Sequence, residues 1–250
     1  VRETELDRLV LDEGYRFLAH QLLDRADREQ AYYAVAGIRH VMGRDGTAAL
    51  SRQVVPALVD AVAARLLVRP RAADGAGGHR SRAVFALNAQ ACVTALLYVR
   101  RATCGEAGFR CAQVSATVGE DLVPELVDRC RAAVLRMLNV RHSWQDAQVQ
   151  AWLRRHADTG IEGLKAGYLI VDPAGAPMAG VAEAVAAVRA DFRWLTVILL
   201  TGLSVPDDEV LDSLGLGQVI VLRPELDEDD EFELGRTLEA FREMVHEEVV

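Results

Sequence analysis

In the last third of the chain the apolar positions gather into three short runs, each ending on a polar residue or a chain breaker. Residues 167–172 (Gly-Tyr-Leu-Ile-Val-Asp) stop at a carboxylate. Residues 194–201 stop at Thr201 and are closed by Gly202, and residues 218–223 stop at Arg223 and are closed by Pro224. All three are rich in Val, Ile and Leu without clean alternation, the pattern of strands buried on both faces of a parallel sheet. Between the first two, Val181, Val185 and Val188 recur at helical spacing. After the second, Asp207-Asp208-Glu209 opens a short helix with Val210, Leu211 and Leu214 predicted inward; acids suit the positive end of the helix dipole. After the third, residues 231–248 carry Phe232, Leu234, Leu238, Phe241 and Val245 as one apolar stripe.

Strands alternating with helices imply βαβ units with right-handed crossovers, and so an α/β doubly wound parallel sheet. Ligand sites in such sheets lie beyond the carboxyl ends of the strands. Asp172, Thr201 and Arg223 all stand at those ends, so they are expected to face one another across a cleft.

The first half of the sheet has two readings. In one, residues 83–87 form the first strand, ending in Asn88-Ala89-Gln90, residues 92–103 a helix and residues 109–115 the second strand. In the other, residues 81–101 are a single helix, because Val84, Leu87, Ala91, Ala95 and Val99 also fit a helical period. The first reading leaves a helical insertion at 120–158 before the third strand. The expected division is a helical region over 1–68, a Gly- and Arg-rich linker over 69–81 and the α/β domain over 82–250.

The order of landmarks in the last third resembles the response-regulator receiver (CheY-like) family. Asp172 matches the phospho-accepting Asp that ends the third strand, and Met178 and Gly180 match the loop that follows. Thr201 with Gly202 matches the Ser or Thr ending the fourth strand, and Arg223-Pro224 stands where the family has Lys-Pro. The match covers residues 165–246. It implies a flavodoxin-like sheet in which residues 168–171 lie between the first strand and residues 197–200. It also makes Asp172, Thr201, Arg223 and Asn88 the candidate cleft, with Asp172 as phospho-acceptor. Two departures matter. Receivers bind Mg²⁺ with an acid pair at the end of the first strand, where this chain has Asn88 and no acid. Arg223 replaces a compact ammonium by a planar guanidinium. Since phosphoryl transfer depends on charge neutralisation by metal and cation, the expectation is an atypical receiver-like domain without Mg²⁺-dependent phosphorylation. No cofactor is expected, and Mg²⁺ is disfavoured.

Composition narrows the function classes. The 250 residues carry 37 acidic against 28 basic side chains, a formal charge of −9, which does not suit general nucleic-acid binding. No apolar run approaches the ~20 residues that span a bilayer, and no signal peptide is visible. Cys92, Cys104, Cys111 and Cys130 form no CxxC pair, so no zinc site is expected and reduced, packed thiols are. The run from Asp227 to Glu231 reads as a solvated loop and helix start. Residues 69–81 lack the Gly-Lys-Ser/Thr ending of a phosphate loop, and Asn88-Ala89-Gln90-Ala91 offers no glycine-rich phosphate turn. The expected function is a cytoplasmic signalling or regulatory protein acting through protein contacts, with residues 1–68 as a surface for a partner or for homodimerisation. The alternatives are a phospho-accepting response regulator on Asp172 and a small-molecule-binding enzyme on a Rossmann-like sheet.

Overall fold

The computed structural model describes residues 55–68, 83–103, 108–140, 164–202, 208–222 and 228–246, with residues 40, 43, 147, 148, 151 and 226 besides. Nearly all of the expected helical region before residue 55, the linker at 69–81, and Arg223 with Pro224 lie outside the described residues. The described chain runs from a 3₁₀ turn (Val55–Leu58) into α1 (Ala61–Leu66), β1 (Val84–Leu87), α2 (Cys92–Thr103), β2 (Phe109–Ser115) and α3 (Leu122–Met137). It continues through β3 (Ala166–Asp172), α4 (Met178–Asp191), β4 (Leu195–Leu200), α5 (Asp208–Ser213), β5 (Val219–Val221) and α6 (Glu228–His246). Residues 84–103 therefore form a strand and a helix, and the single-helix reading of residues 81–101 is overturned. All four residues of β1 pair with β4 and three of them, Val84 to Ala86, pair with β5 as well, which a helix could not supply.

The sheet is five-stranded and all parallel, in the order β2-β3-β4-β1-β5. The doubly wound α/β class is as the alternation of strands and helices implies. The strand order is not that of receivers, which run 2-1-3-4-5. Here β4, not β3, is the neighbour of β1, and β3 lies between β2 and β4. The expectation that residues 168–171 sit between the first strand and residues 197–200 is thus corrected. A run of apolar residues dictates that a strand is buried, but not which neighbour it takes, because every central strand looks alike from its own side chains.

Two layers cover the sheet. On one face α2 packs with α1, the 3₁₀ turn and Leu234 and Leu238 of α6, around Tyr98, Tyr168 and Ile198. On the other, α3 and α4 pack around Leu126, Val185, Leu169 and Phe192, joined by Leu214 and Leu216 just after α5. The interior strands β1, β3 and β4 are buried along their lengths, save Asp172 at the tip of β3. The edge strand β2 alternates, with Ala112 and Val114 buried and Arg110 and Gln113 exposed.

Local chemistry sets the helix ends. Asp60 caps α1 by accepting the Ala63 N–H at 2.7 Å. At the end of α3, Asn139 takes φ 57°, while its own N–H reaches the Arg136 carbonyl and that of Val140 the Leu135 carbonyl. That is the left-handed stop in which two orphan carbonyls are satisfied. Gly180 lets α4 approach α3, since a Cβ there would stand 2.8 Å from Leu122 Cδ2. Two side chains expected inward face out: Val210 on α5 is 46% exposed and Phe232 on α6 is 66% exposed. Among the described residues no helix is long and apolar enough to cross a membrane.

Candidate functional site

The carboxyl ends of the strands form one edge, and the register fixes its order. Ser115 ends β2 opposite Asp172 at the end of β3. The last pairs between β3 and β4 and between β1 and β4 bring Val171 to Leu199 and Leu87 to Leu200. Ser115, Asp172, Thr201 and Asn88 therefore follow one another along the edge on neighbouring strands. With about 4.8 Å between strands, Asp172 and Asn88 stand roughly 10 Å apart, with β4 between them. Three of the four expected cleft residues share this edge; Arg223 lies outside the described residues.

Asp172 does its first work within its own loop. Its Oδ1 accepts the Ala174 N–H at 2.8 Å, and its carbonyl accepts the Ala116 N–H at 2.7 Å, which ties the loop after β2 to the end of β3. The short polar turn holds Ala174 at φ 48° and Gly175 at φ 81°, positive values that a β-branched residue would resist. Cys92, the first residue of α2, faces this corner. Burial pushes its thiol above the ordinary range, the Asp172 carboxylate pushes it further, and a side-chain hydrogen bond with Ser115 pulls it back. A thiol held protonated in this way is a poor nucleophile.

Thr201 links β4 to β1. Its N–H donates to the Leu87 carbonyl at 2.9 Å and its hydroxyl to the same oxygen at 3.3 Å, while the Gly202 N–H reaches the Ala89 carbonyl at 3.3 Å. Gly202 has φ 78°, so the chain turns away here through a conformation that glycine permits.

Asn88 is buried, 4% exposed, and pairs in both directions with the backbone of Leu226. Its Nδ2 donates to the Leu226 carbonyl, and its Oδ1 accepts the Leu226 N–H at 3.0 Å. Three residues on, the start of α2 receives a carboxylate. Glu231 of α6 accepts the Gln90 N–H at 2.6 Å through Oε2, and through Oε1 the Ala91 N–H at 2.9 Å and the Thr94 hydroxyl at 2.7 Å. The free N–H groups and positive end of a helix dipole are a natural seat for an anion, and here the protein supplies its own.

Glu231 is the residue that reading the sequence missed. In the sequence it closes an acid run that reads as a solvated loop and helix start, but it is half-buried and bonded to three partners about 140 positions away. No local pattern marks such a contact. Cys92 reads from the sequence as a packed thiol and Ser115 as a strand end, and only the pairing of β2 with β3 brings Ser115 beside Asp172, in reach of Cys92. Among the described residues Cys92, Cys111 and Cys130 are free thiols. Among the described residues no three His, Cys, Asp or Glu side chains form a set that could hold a metal ion. Comparison with protein-family models, with curated proteins and with solved structures returns no match for this chain.

Proposed function

We propose that this chain is a cytoplasmic regulatory protein that works through protein–protein contacts, its α/β domain serving as a switchable module without aspartyl phosphorylation. One observation carries the reading. The end of β1, where a receiver places its metal-binding acids, holds Asn88 fully engaged with Leu226 and separated from Asp172 by β4. A Mg²⁺ ion needs several oxygen ligands at about 2.1 Å, and a carboxylate on β3 and an amide two strands away are too far apart to share one. Without that ion the charge developing on a transferred phosphoryl group is not neutralised. The strand order also departs from the receiver family, so the reading rests on the residues of the site. The acidic charge of −9 favours a protein partner over a nucleic acid. Incubation with Mg²⁺ and acetyl phosphate tests the proposal by intact mass. The expected spectrum shows the unmodified chain. A phosphorylated species that disappears in Asp172→Asn overturns the reading and supports a phospho-accepting regulator instead.

A second reading has its own support. The helices that follow β1 and β4 lie on opposite faces of the sheet, so these adjacent strands form the topological switch point where doubly wound sheets bind ligands. The start of α2 at that point already holds a carboxylate. A small phosphate-bearing ligand displacing Glu231 would make the domain a binding protein or enzyme of the nucleotide type. Calorimetry with ADP and with inorganic phosphate separates the two, since heat of binding lost in Thr94→Val supports the second reading and its absence the first.

A further inference from the structure

We propose that the outer edge of β2 is a dimer interface, at which two copies of this chain pair their β2 strands antiparallel about a two-fold axis and join their sheets into one. The proposal goes beyond the functional reading above and does not depend on whether Asp172 is phosphorylated.

The hydrogen bonds of the strand carry the argument. At its carboxyl end the Ala116 N–H reaches the Asp172 carbonyl at 2.7 Å, and at its amino end the Gly108 carbonyl accepts the Lys165 N–H at 2.7 Å. The even-numbered residues of β2 therefore spend their backbone groups on β3, and the alternation along a strand turns those of Phe109, Cys111, Gln113 and Ser115 outward. Among the described residues no strand pairs with that side and no hydrogen bond reaches its backbone. The two edges of the sheet differ in kind. β5 has three residues and is closely followed in the sequence by Pro224. β2 has seven, contains no proline and keeps one unbroken register with β3. Short strands, prolines and bulges guard an edge against pairing, and β2 has none of these.

The charge along this edge selects a second copy as the occupant. Its amino end is basic: Arg110 is exposed, the charge of Arg100 reaches Cys111, and Lys165 lies over the Phe109 ring at 5.6 Å. Its carboxyl end is acidic: Asp172 stands opposite Ser115, and Glu120 and Asp121 are exposed directly after the strand. Arg129 is a base at that end, where it donates to the Thr117 hydroxyl at 3.1 Å. Antiparallel pairing lays the basic end of each strand against the acidic end of the other, and the two-fold axis makes that match twice. With the axis beside Ala112, Phe109 meets the partner's Ser115 and Cys111 meets the partner's Gln113, so every outward residue finds a backbone partner. A chain with a formal charge of −9 needs such local complementarity to meet its own copy.

Sedimentation velocity on the full chain over a range of concentrations tests the interface. The parent chain is expected to dimerise, with a dimer Kd that rises as salt is added. Gln113→Pro removes an outward N–H and sets a ring on the edge without costing a hydrogen bond within the protomer. It should sediment as a monomer with an unchanged far-UV spectrum. Arg110→Glu changes an exposed side chain, so it keeps the test usable if Gln113→Pro folds poorly, and it should raise the dimer Kd about tenfold at low salt. A monomeric parent chain overturns the proposal and leaves the edge to an extended segment of a different protein. Dimers of unchanged Kd in Gln113→Pro also overturn it, because the interface then lies elsewhere. An unchanged Kd in Arg110→Glu overturns the charge-matched antiparallel pairing even where Gln113→Pro is monomeric.

Discussion

The Glu231 carboxylate accepts the Ala91 backbone N–H at 2.9 Å across 140 residues of sequence. The contact joins the last helix to the first βα connection and fills a helix start that would otherwise show open N–H groups to solvent. Its neighbour, the Asn88–Leu226 pair, fastens the same two segments one turn earlier. Together they explain why the end of β1 carries neither an acid pair nor a glycine-rich turn: its polar groups are satisfied within the chain.

Replacing Glu231 by Ala should lower the stability of the domain by about 1–2 kcal/mol. Charge-assisted hydrogen bonds are worth roughly 1.5–3 kcal/mol and an anion at a helix start about 0.3–1 kcal/mol. Water replaces part of this at a half-exposed site, which brings the expected cost to the lower figure. Urea unfolding should show a lower midpoint with an unchanged slope. An unchanged midpoint would mean that water serves the Gln90 and Ala91 N–H groups equally well.

Asn88 should be less forgiving. Asn88→Ala leaves the Leu226 N–H and carbonyl unpaired in a buried place, a loss of about 2–3 kcal/mol. Asn88→Asp, which restores the receiver-like acid, keeps the acceptor but loses the donor to Leu226 and buries a charge. It should destabilise at neutral pH at least as much as Asn88→Ala, and it should not confer phosphorylation of Asp172. Thermal unfolding of the two variants side by side checks the order.

Gly167 of β3 lies under the Trp194 ring, which a Cβ would strike, and Trp194 packs edge-on against Phe192 at 5.9 Å. Gly167→Ala should cost about 1–3 kcal/mol, the usual range for overpacking. The half-exposed Trp194 supplies the control, since Trp194→Leu should relieve most of the loss in the double variant. A double-mutant cycle with no coupling would place the strain elsewhere.

Burial pushes the Cys111 and Cys130 thiols up to about 12. A folded value raised above the unfolded one means that the native state holds its proton while the unfolded state loses it. The stability these thiols contribute is therefore whole below pH about 9 and falls as pH rises from there toward 12. Each thiol adds about 1.4 kcal/mol per pH unit to the slope in that window. Cys130→Ala should flatten the alkaline slope by about that amount, whatever it does to stability at pH 7, and urea midpoints at three alkaline pH values measure it.

The sequence made the elements legible and left their arrangement hidden. β1, α2 and β2 fall almost on the residues of the first reading, because Val84 to Leu87 is a short apolar run and Phe109 to Ser115, opened by Gly108, alternates as an edge strand does. The place of β1 beside β4 was not legible. The Ala86–Leu199 and Ala86–Val221 pairings depend on which crossover passes over which strand, and no side chain in β1 encodes that. The polar edge was half legible. Asp172, Thr201 and Asn88 were visible as strand ends, whereas Glu231 looked like its acidic neighbours. Phe232 was assigned to the apolar stripe from its spacing, yet α6 turns Glu231 and Leu234 toward the body and leaves Phe232 outside.

Asp172 and Cys92 make the last test of the edge. The carboxylate helps hold the Cys92 thiol protonated, second only to burial. Asp172→Asn keeps an oxygen for the Ala174 N–H and removes the charge, so the thiol should titrate at lower pH than in the parent chain. The pH profile of Cys92 alkylation, followed on its own peptide by mass spectrometry, should shift toward acid in the variant while Cys130, on the opposite layer, stays where it was. Alkylation of Cys92 at fixed pH 8 should accelerate accordingly, because the thiolate is the reacting species. Coincident profiles for the two chains would show that the Asp172 carboxylate does not face the start of α2, and with that the row from Ser115 to Asn88 would lose the contact that binds its β3 end to the first βα connection.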